Sequence, residues 1–190
     1  KDAGFVRGRA EEKMGLRTVP LGALTLKDCW VPEDRLLGPI GSGMSIFQHT
    51  MEWERSFIFS GHVGAMARQL NECVAHARGR KTFSAPISDY QSVSNRLAEM
   101  RVRLETARLL LYRAAWLKDM NRPAALEAAM AKLHISEAFT ASSLDAIRIF
   151  GGRGYLSADG IERNLRDATG GLIYSGTSDI QRQIIARLLD

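Results

Sequence analysis

The chain has 190 residues, 45% of them hydrophobic and 25% charged, enough to bury a core of its own without disulfide or metal staples. Its 26 basic residues outnumber 21 acidic ones for a net charge of +5, but the two signs are interleaved and no basic block or aromatic-basic motif occurs, which argues for a solvated helical surface and against a nucleic-acid partner. No apolar run reaches the ~18 residues of a membrane span, and the amino terminus does not read as a signal peptide.

Residues 1–40 are punctuated by Gly15, Pro20, Gly22, Pro32, Gly38 and Pro39. The short apolar pieces between them, Leu24-Thr25-Leu26 and Cys29-Trp30-Val31, predict strands joined by turns. The stretch is too short for a sheet of its own and reads as the tail of a β domain, with exposed edges. It opens Lys-Asp-Ala-Gly, without an initiator Met, and is expected to be a piece of a longer polypeptide. From Ser42 the pattern turns helical: Phe47, Met51, Glu54, Ile58, Val63, Met66, Leu70, Cys73 and Ala77 follow steps of three and four. After Pro86, Ser88 and Gln91 predict a capping box that opens a second helix, with Val93, Leu97, Met100, Leu104, Ala107, Leu111 and Ala114 as its stripe. Asn121-Arg122-Pro123 is the next turn. A third helix carries Met130, Leu133, Glu137, Thr140, Leu144 and Ile147 and stops at Gly151-Gly152. A helical turn near residues 159–166 precedes Gly170-Gly171. A last helix from Ser178 places Ile180, Ile184 and Leu188 on one face. The expectation is a mainly α chain: an antiparallel four-helix bundle over 41–190, preceded by a β remnant over 1–40.

Several clusters have both a structural and a chemical reading. Gly151-Gly152-Arg153-Gly154-Tyr155 can be a helix C-cap or a place where backbone comes close to a phosphate. Arg80 and its neighbours at the first interhelical turn can complement a helix dipole or hold an anion. In Tyr174-Ser175-Gly176-Thr177-Ser178-Asp179-Ile180-Gln181, Ser178 and Gln181 can form a capping box, while the glycine-containing turn can offer N–H groups to a carbonyl or pyrophosphate. Glu54 lies on the stripe that should face protein, where loss of water disfavours the charged carboxylate. It is either a structural ion pair, with Arg55 or a base on another helix, or a functional acid-base group. Glu137, His134, Asp145, Cys29 and Cys73 read as structural. The cysteines have no partner at ligand spacing and suit a cytoplasmic protein, and the four histidines form no metal motif.

Taken in order, these segments resemble one family. Lys13-Met14-Gly15-Leu16-Arg17, Val31-Pro32 and Leu37-Gly38 resemble the end of the middle domain of the acyl-CoA dehydrogenases. Arg80-Lys81-Thr82-Phe83, Gln91, Leu97-Ala98-Glu99-Met100, the 151–155 glycines, Arg166-Asp167-Ala168 and residues 176–182 resemble its carboxy-terminal bundle. The resemblance implies FAD and oxidation of an acyl thioester to its trans-2-enoyl form, with a carboxylate taking the α proton and the flavin taking hydride. It places Arg80, Phe83, Gln91, Gly151 and Gly152 against the FAD of a neighbouring subunit, in a homodimer or homotetramer. Thr177 and Asp179 go near the chain's own FAD, and the Ser175 N–H goes to the thioester carbonyl. Arg55, Tyr174 and Gly176 are expected beside the substrate, and no metal is implied.

Four positions depart from the common pattern. Ser175 stands where many members carry the base, and Glu54-Arg55 resembles the placement of the isovaleryl-CoA dehydrogenase-like minority, so Glu54 is the expected base. Arg148, expected as a cofactor contact, replaces a common Gln near the flavin pyrophosphate, Ser84 replaces a common Gly, and Asp179 replaces Gln or Glu. Residues 51–55 and 173–177 also resemble members of natural-product pathways, some of which act on carrier-protein thioesters. The implied partners are therefore an acyl-CoA or acyl-carrier-protein substrate and an electron-transfer flavoprotein, or oxygen in an oxidase variant. A non-catalytic oligomerisation bundle is the alternative of another class.

Overall fold

The computed structural model describes residues 3–189. Near the start, β1 (Phe5–Arg7) pairs antiparallel with β2 (Leu24–Leu26), Val6 opposite Thr25. Leu24-Thr25-Leu26 is thus the strand expected, and its outer side is open, Leu26 being 70% exposed. Cys29-Trp30-Val31 is not a strand among the described residues. Pro32, which cannot donate to a ladder, instead caps a 3-10 turn at Glu33–Arg35.

The helices are α1 (Gly43–Phe57), α2 (Ser60–Gly79), α3 (Gln91–Asp119), α4 (Ala125–Phe150), the single turn α5 (Gly152–Tyr155), α6 (Ile161–Gly171) and α7 (Ser178–Arg187). A two-residue hairpin, β3 (Lys81–Thr82) with β4 (Ala85–Pro86), joins α2 to α3. The mainly α bundle is as expected, but the first predicted helix is two. The ladder breaks after Phe57, in a run of aromatic and β-branched residues with poor helix propensity, and Phe59 turns fully into the core.

On α2 and α3 the predicted stripes are the core: Val63, Met66, Leu70, Cys73 and Ala77 pack against Met100, Leu104, Ala107 and Leu111. On α4 the predicted stripe is displaced. Leu144 is exposed, and the buried side runs through Ala128, Ala131, Ile135, Ala138, Phe139, Ser142, Ala146 and Ile149. α4 is the hub and packs against every other helix. Small residues let those neighbours approach, so large apolar side chains are a poor guide to its inner face. On α7 the face with Ile180 and Leu188 is largely exposed, and Ser178 and Gln181 are buried instead. The turn expected near residues 159–166 is the full helix α6.

Neither expected capping box forms. Tyr90, in extended conformation, is the N-cap of α3, because residues 87–89 are taken up in a 3-10 turn and Ser88 Oγ bonds Asp89. Thr177, not Ser178, caps α7, its hydroxyl accepting from the Ile180 N–H at 3.3 Å. Asp145 keeps the structural part assigned to it. Burial pushes its carboxyl up, but the Arg103 and Arg96 guanidiniums, each 2.8 Å away, outweigh that and hold it below the ordinary range. Glu137 is likewise structural, paired with Arg182 at 3.2 Å.

Candidate active site

Glu54 enters from the last turn of α1, and the turn between α6 and α7 brings Ser175 to it. Ser175 Oγ donates to Glu54 Oε1 at 2.5 Å across 121 positions of sequence. Neither alternative ion pair forms: Glu54 has no salt bridge among the described residues, and Arg55 points its Nε at the Ser175 carbonyl, 3.4 Å away. Nor is Glu54 fully buried, as its place on the stripe suggested. It is half-buried on the border of a cavity of about 720 Å³ that Ile58, Gly61, His62, Phe139 and Tyr174 also line.

The turn is built to present its backbone. Ser175 and Gly176 are both left-handed, with φ of 55° and 86°. A non-glycine residue there is uncommon and marks a backbone held by its surroundings. The holder is Gln181, wholly buried, whose Nε2 donates to the Ser175 and Gly176 carbonyls at 3.1 Å each. Gly176 is required as well as tolerated, since a Cβ there would lie 2.6 Å from that Nε2. With both carbonyls engaged, the Ser175 and Gly176 N–H groups have no acceptor among the described residues. Four residues before Ser175, the Gly171 carbonyl accepts at 2.8 Å from Lys132 of α4, which is fully buried with its ammonium over the Phe59 ring. Burial pulls Lys132 down to about 8.

Tyr174, next to Ser175, meets His62 of α2, Oη to Nε2 at 3.0 Å. His62 lies tilted against Phe59 and nearly perpendicular to Phe139, with ring centroids 4.9 and 5.1 Å away. Burial brings it down to about 4, so it is neutral at ordinary pH.

The remaining candidates gather elsewhere. Arg96 of α3 reaches Asp145 of α4, and the His76 and Phe150 rings stack at 4.1 Å, so the start of α3, the end of α2 and the end of α4 share one end of the bundle. Arg80, Phe83, Gln91, Arg148, Gly151 and Gly152 all lie at that end. Phe83 is 93% exposed at the hairpin tip. Gly151 has φ of 60° and, like Gly152, open space where a Cβ would sit. Arg148 is partly committed, to Asp145 at 3.3 Å. Lys132, under the Ser175 turn, and Gly151 are 19 residues apart on and just past α4, which at ~1.5 Å per residue puts the two groups roughly 28 Å apart. Thr177 and Asp179 stay with the Glu54 group, and Asp179 is exposed and paired with Arg182 at 3.0 Å.

A family signature described as acyl-CoA dehydrogenase, C-terminal domain, matches residues 41–189. The chain belongs to the acyl-CoA dehydrogenase family. An L-prolyl-[peptidyl-carrier protein] dehydrogenase of Pseudomonas fluorescens is 52% identical over 187 residues, which are 98% of this chain and 49% of that protein. The human mitochondrial short-chain specific acyl-CoA dehydrogenase is 44% identical over 183 residues, 96% of this chain and 44% of that one. The solved structure of PigA with FAD and proline superposes with a TM-score of 0.96 at 38% identity, covering 99% of this chain and 49% of that one. The chain thus spans about half the length of the acyl-CoA dehydrogenase relatives it matches.

Three residues of this acyl-CoA dehydrogenase bundle are placed at the site without being site candidates in the sequence. Lys132 carried a signal, a lone lysine between Ala131 and Leu133 in an alanine-rich helix. Gln181 was read as a cap, and His62 had no motif to mark it.

Proposed function

We propose that this chain is the base-bearing half of an FAD-dependent acyl-thioester dehydrogenase, in which Glu54 removes the α proton as the β hydrogen leaves as hydride. The observation that carries the reading is the meeting of Glu54 with Ser175 at the cavity border, beside a turn whose Ser175 and Gly176 N–H groups have no acceptor among the described residues. The α proton of a thioester leaves readily only when its carbonyl is polarised, and the Ser175 N–H is suited to that task. The Ser175 hydroxyl holds Oε1 of Glu54 and leaves Oε2 for the proton. Arg55 and Gln181 both donate to the Ser175 carbonyl and so fix the peptide plane that it shares with the Gly176 N–H.

Bound FAD would supply the two-electron acceptor. The residues present fit it at two places. Beside Glu54, the Thr177 oxygen accepts from Ile180, so its own proton is available for a ligand. At the far end, Arg80, Gln91, exposed Phe83 and the open backbone of Gly151 and Gly152 offer charge, an aromatic face and close approach, the chemistry a dinucleotide requires. Because the two places are separated by most of α4, we assign the far one to the FAD of a neighbouring subunit in a homodimer or homotetramer. Substrate names among the relatives support a small acyl group. The 52% identity to the Pseudomonas fluorescens prolyl-carrier enzyme favours a prolyl or similar group on a carrier protein over a short-chain acyl-CoA. An electron-transfer flavoprotein, or oxygen in an oxidase variant, then reoxidises the flavin.

The test uses a protein that joins this chain to the amino-terminal half its relatives possess. Glu54→Gln should keep the flavin content and slow flavin reduction by prolyl-carrier protein roughly 10²-fold or more, the usual scale for a lost general base. Reduction at the parental rate would reject Glu54. A protein that binds no flavin and reacts with no acyl thioester would favour the scaffold alternative.

A further inference from the structure

Resting on that reading of the site, we propose that Tyr174 and His62 form a recognition pair that selects acyl groups bearing an N–H on the α carbon. The assignment begins with where the protons are. One ring nitrogen of His62 meets Tyr174 Oη, and the ring also makes a hydrogen bond to the Ile58 backbone. A carbonyl can only accept, so the nitrogen facing Ile58 carries the proton, and Nε2 is left as an acceptor. Tyr174 therefore donates its single proton to His62. Its oxygen retains only lone pairs, and both residues border the cavity.

The arrangement is rigid and has no easy reversal. Phe59 stacks on Tyr174 with centroids 5.5 Å apart and also contacts His62, while Phe139 closes the imidazole edge. Burial, with Asp167 and Glu54 nearby, pushes Tyr174 up to about 12, so the phenol stays protonated and keeps its proton on His62. Ile58, Gly61, Ala65 and Ile173, which line the same cavity, supply no side-chain donor, and its Arg68 and Arg166 donate to Asn164, Glu162 and the Met14 carbonyl. Once the cavity is closed over a ligand, a purely hydrocarbon acyl group leaves the tyrosine oxygen unpaired, whereas an N–H pairs it. The placement also matches the α carbon. Glu54 addresses its hydrogen, the Ser175 N–H addresses the carbonyl bonded to it, and Tyr174 is the residue immediately before Ser175. Three neighbouring groups thus meet three of the four substituents on the α carbon of an α-amino acyl thioester, the fourth being the β carbon that gives up hydride. A site built to hydrogen-bond a substrate group rejects the analogue that lacks it more strongly than an apolar pocket rejects a change of size.

Binding, measured without turnover, separates this proposal from the assignment of the base. In the protein with its amino-terminal half, titration calorimetry would compare two unreactive pantetheine ketones, with CH2 in place of the thioester sulfur. One carries a prolyl ring and the other the isosteric cyclopentyl ring. The parent should prefer the prolyl analogue roughly tenfold or more. Tyr174→Phe, which keeps the ring and its stacking, should bring the ratio near one. His62→Phe should lower it too, by freeing the phenol proton, and His62→Gln, whose amide oxygen can accept that proton, should restore part of it. No preference in the parent, or a preference that survives Tyr174→Phe, would overturn the proposal. Because no proton is abstracted in these titrations, loss of turnover in Glu54→Gln with an intact binding ratio leaves the pair assigned. A parent that reduces no flavin yet keeps the ratio would instead sink the dehydrogenase reading alone.

Discussion

Ser175 stands where a family carboxylate is expected, yet its side chain has work at the same place, holding the glutamate that comes from another helix. A carboxylate on an apolar stripe marks position 54 in the sequence as an ion pair or an acid-base group, and the family resemblance, not the pattern, points to the second. Its partner is not marked, since nothing in a local pattern reveals a contact across 121 residues. Ser175→Ala should leave the backbone N–H in place and remove the hydroxyl. The hydroxyl orients the carboxylate, so its loss should misplace the base and slow flavin reduction about tenfold with KM little changed, measured by stopped-flow. His62 gives a second measurable consequence. Burial holds it near 4 in the folded chain, below its ordinary 6.5. The unfolded chain takes up the proton first, so stability is unaffected above about 6.5 and falls as pH drops towards 4. His62→Gln removes the titrating group and should flatten that decline relative to the parent in urea unfolding curves. An unchanged slope would mean that His62 is not kept neutral by the fold.

At the scale of elements, the helices of the bundle were readable from their apolar steps, and the connections between them were not. Both capping boxes were expected from side-chain types alone. The structure gives the caps to Tyr90 and Thr177, because the preceding turns had already used Ser88 and had sent Gln181 inward. The face of α4 was misread for a related reason: periodicity weighs large apolar residues, while a hub helix is recognised by small ones. The α6–α7 turn now supplies a sharper expectation. Gly176 lies at φ of 86°, and a Cβ there would press on Gln181. Gly176→Ala should cost about 1–3 kcal/mol, as strained backbone positions do, and lower the melting temperature of the isolated chain. Gly61→Ala, in a helix with open space around its Cβ, is the control and should not.

At the scale of the molecule, Val102, Leu109, Tyr112 and Trp116 line one side of α3 at helical spacing, each more than half exposed. Patches of that kind mark interaction surfaces. We expect the 190-residue chain to sediment as a dimer or larger species, and Trp116→Asp to shift it towards monomer. A parent that stays monomeric at high concentration would count against subunits that share their flavin sites. α4 sets a further limit. One register of this helix fixes Lys132 on Gly171, and the same register fixes Asp145 between Arg96 and Arg103. Inserting one residue between them would slide everything beyond it by ~1.5 Å and swing it by ~100°, undoing one anchor to keep the other. α4 is therefore a gauge, and its length between positions 132 and 151 should tolerate substitutions but neither insertion nor deletion.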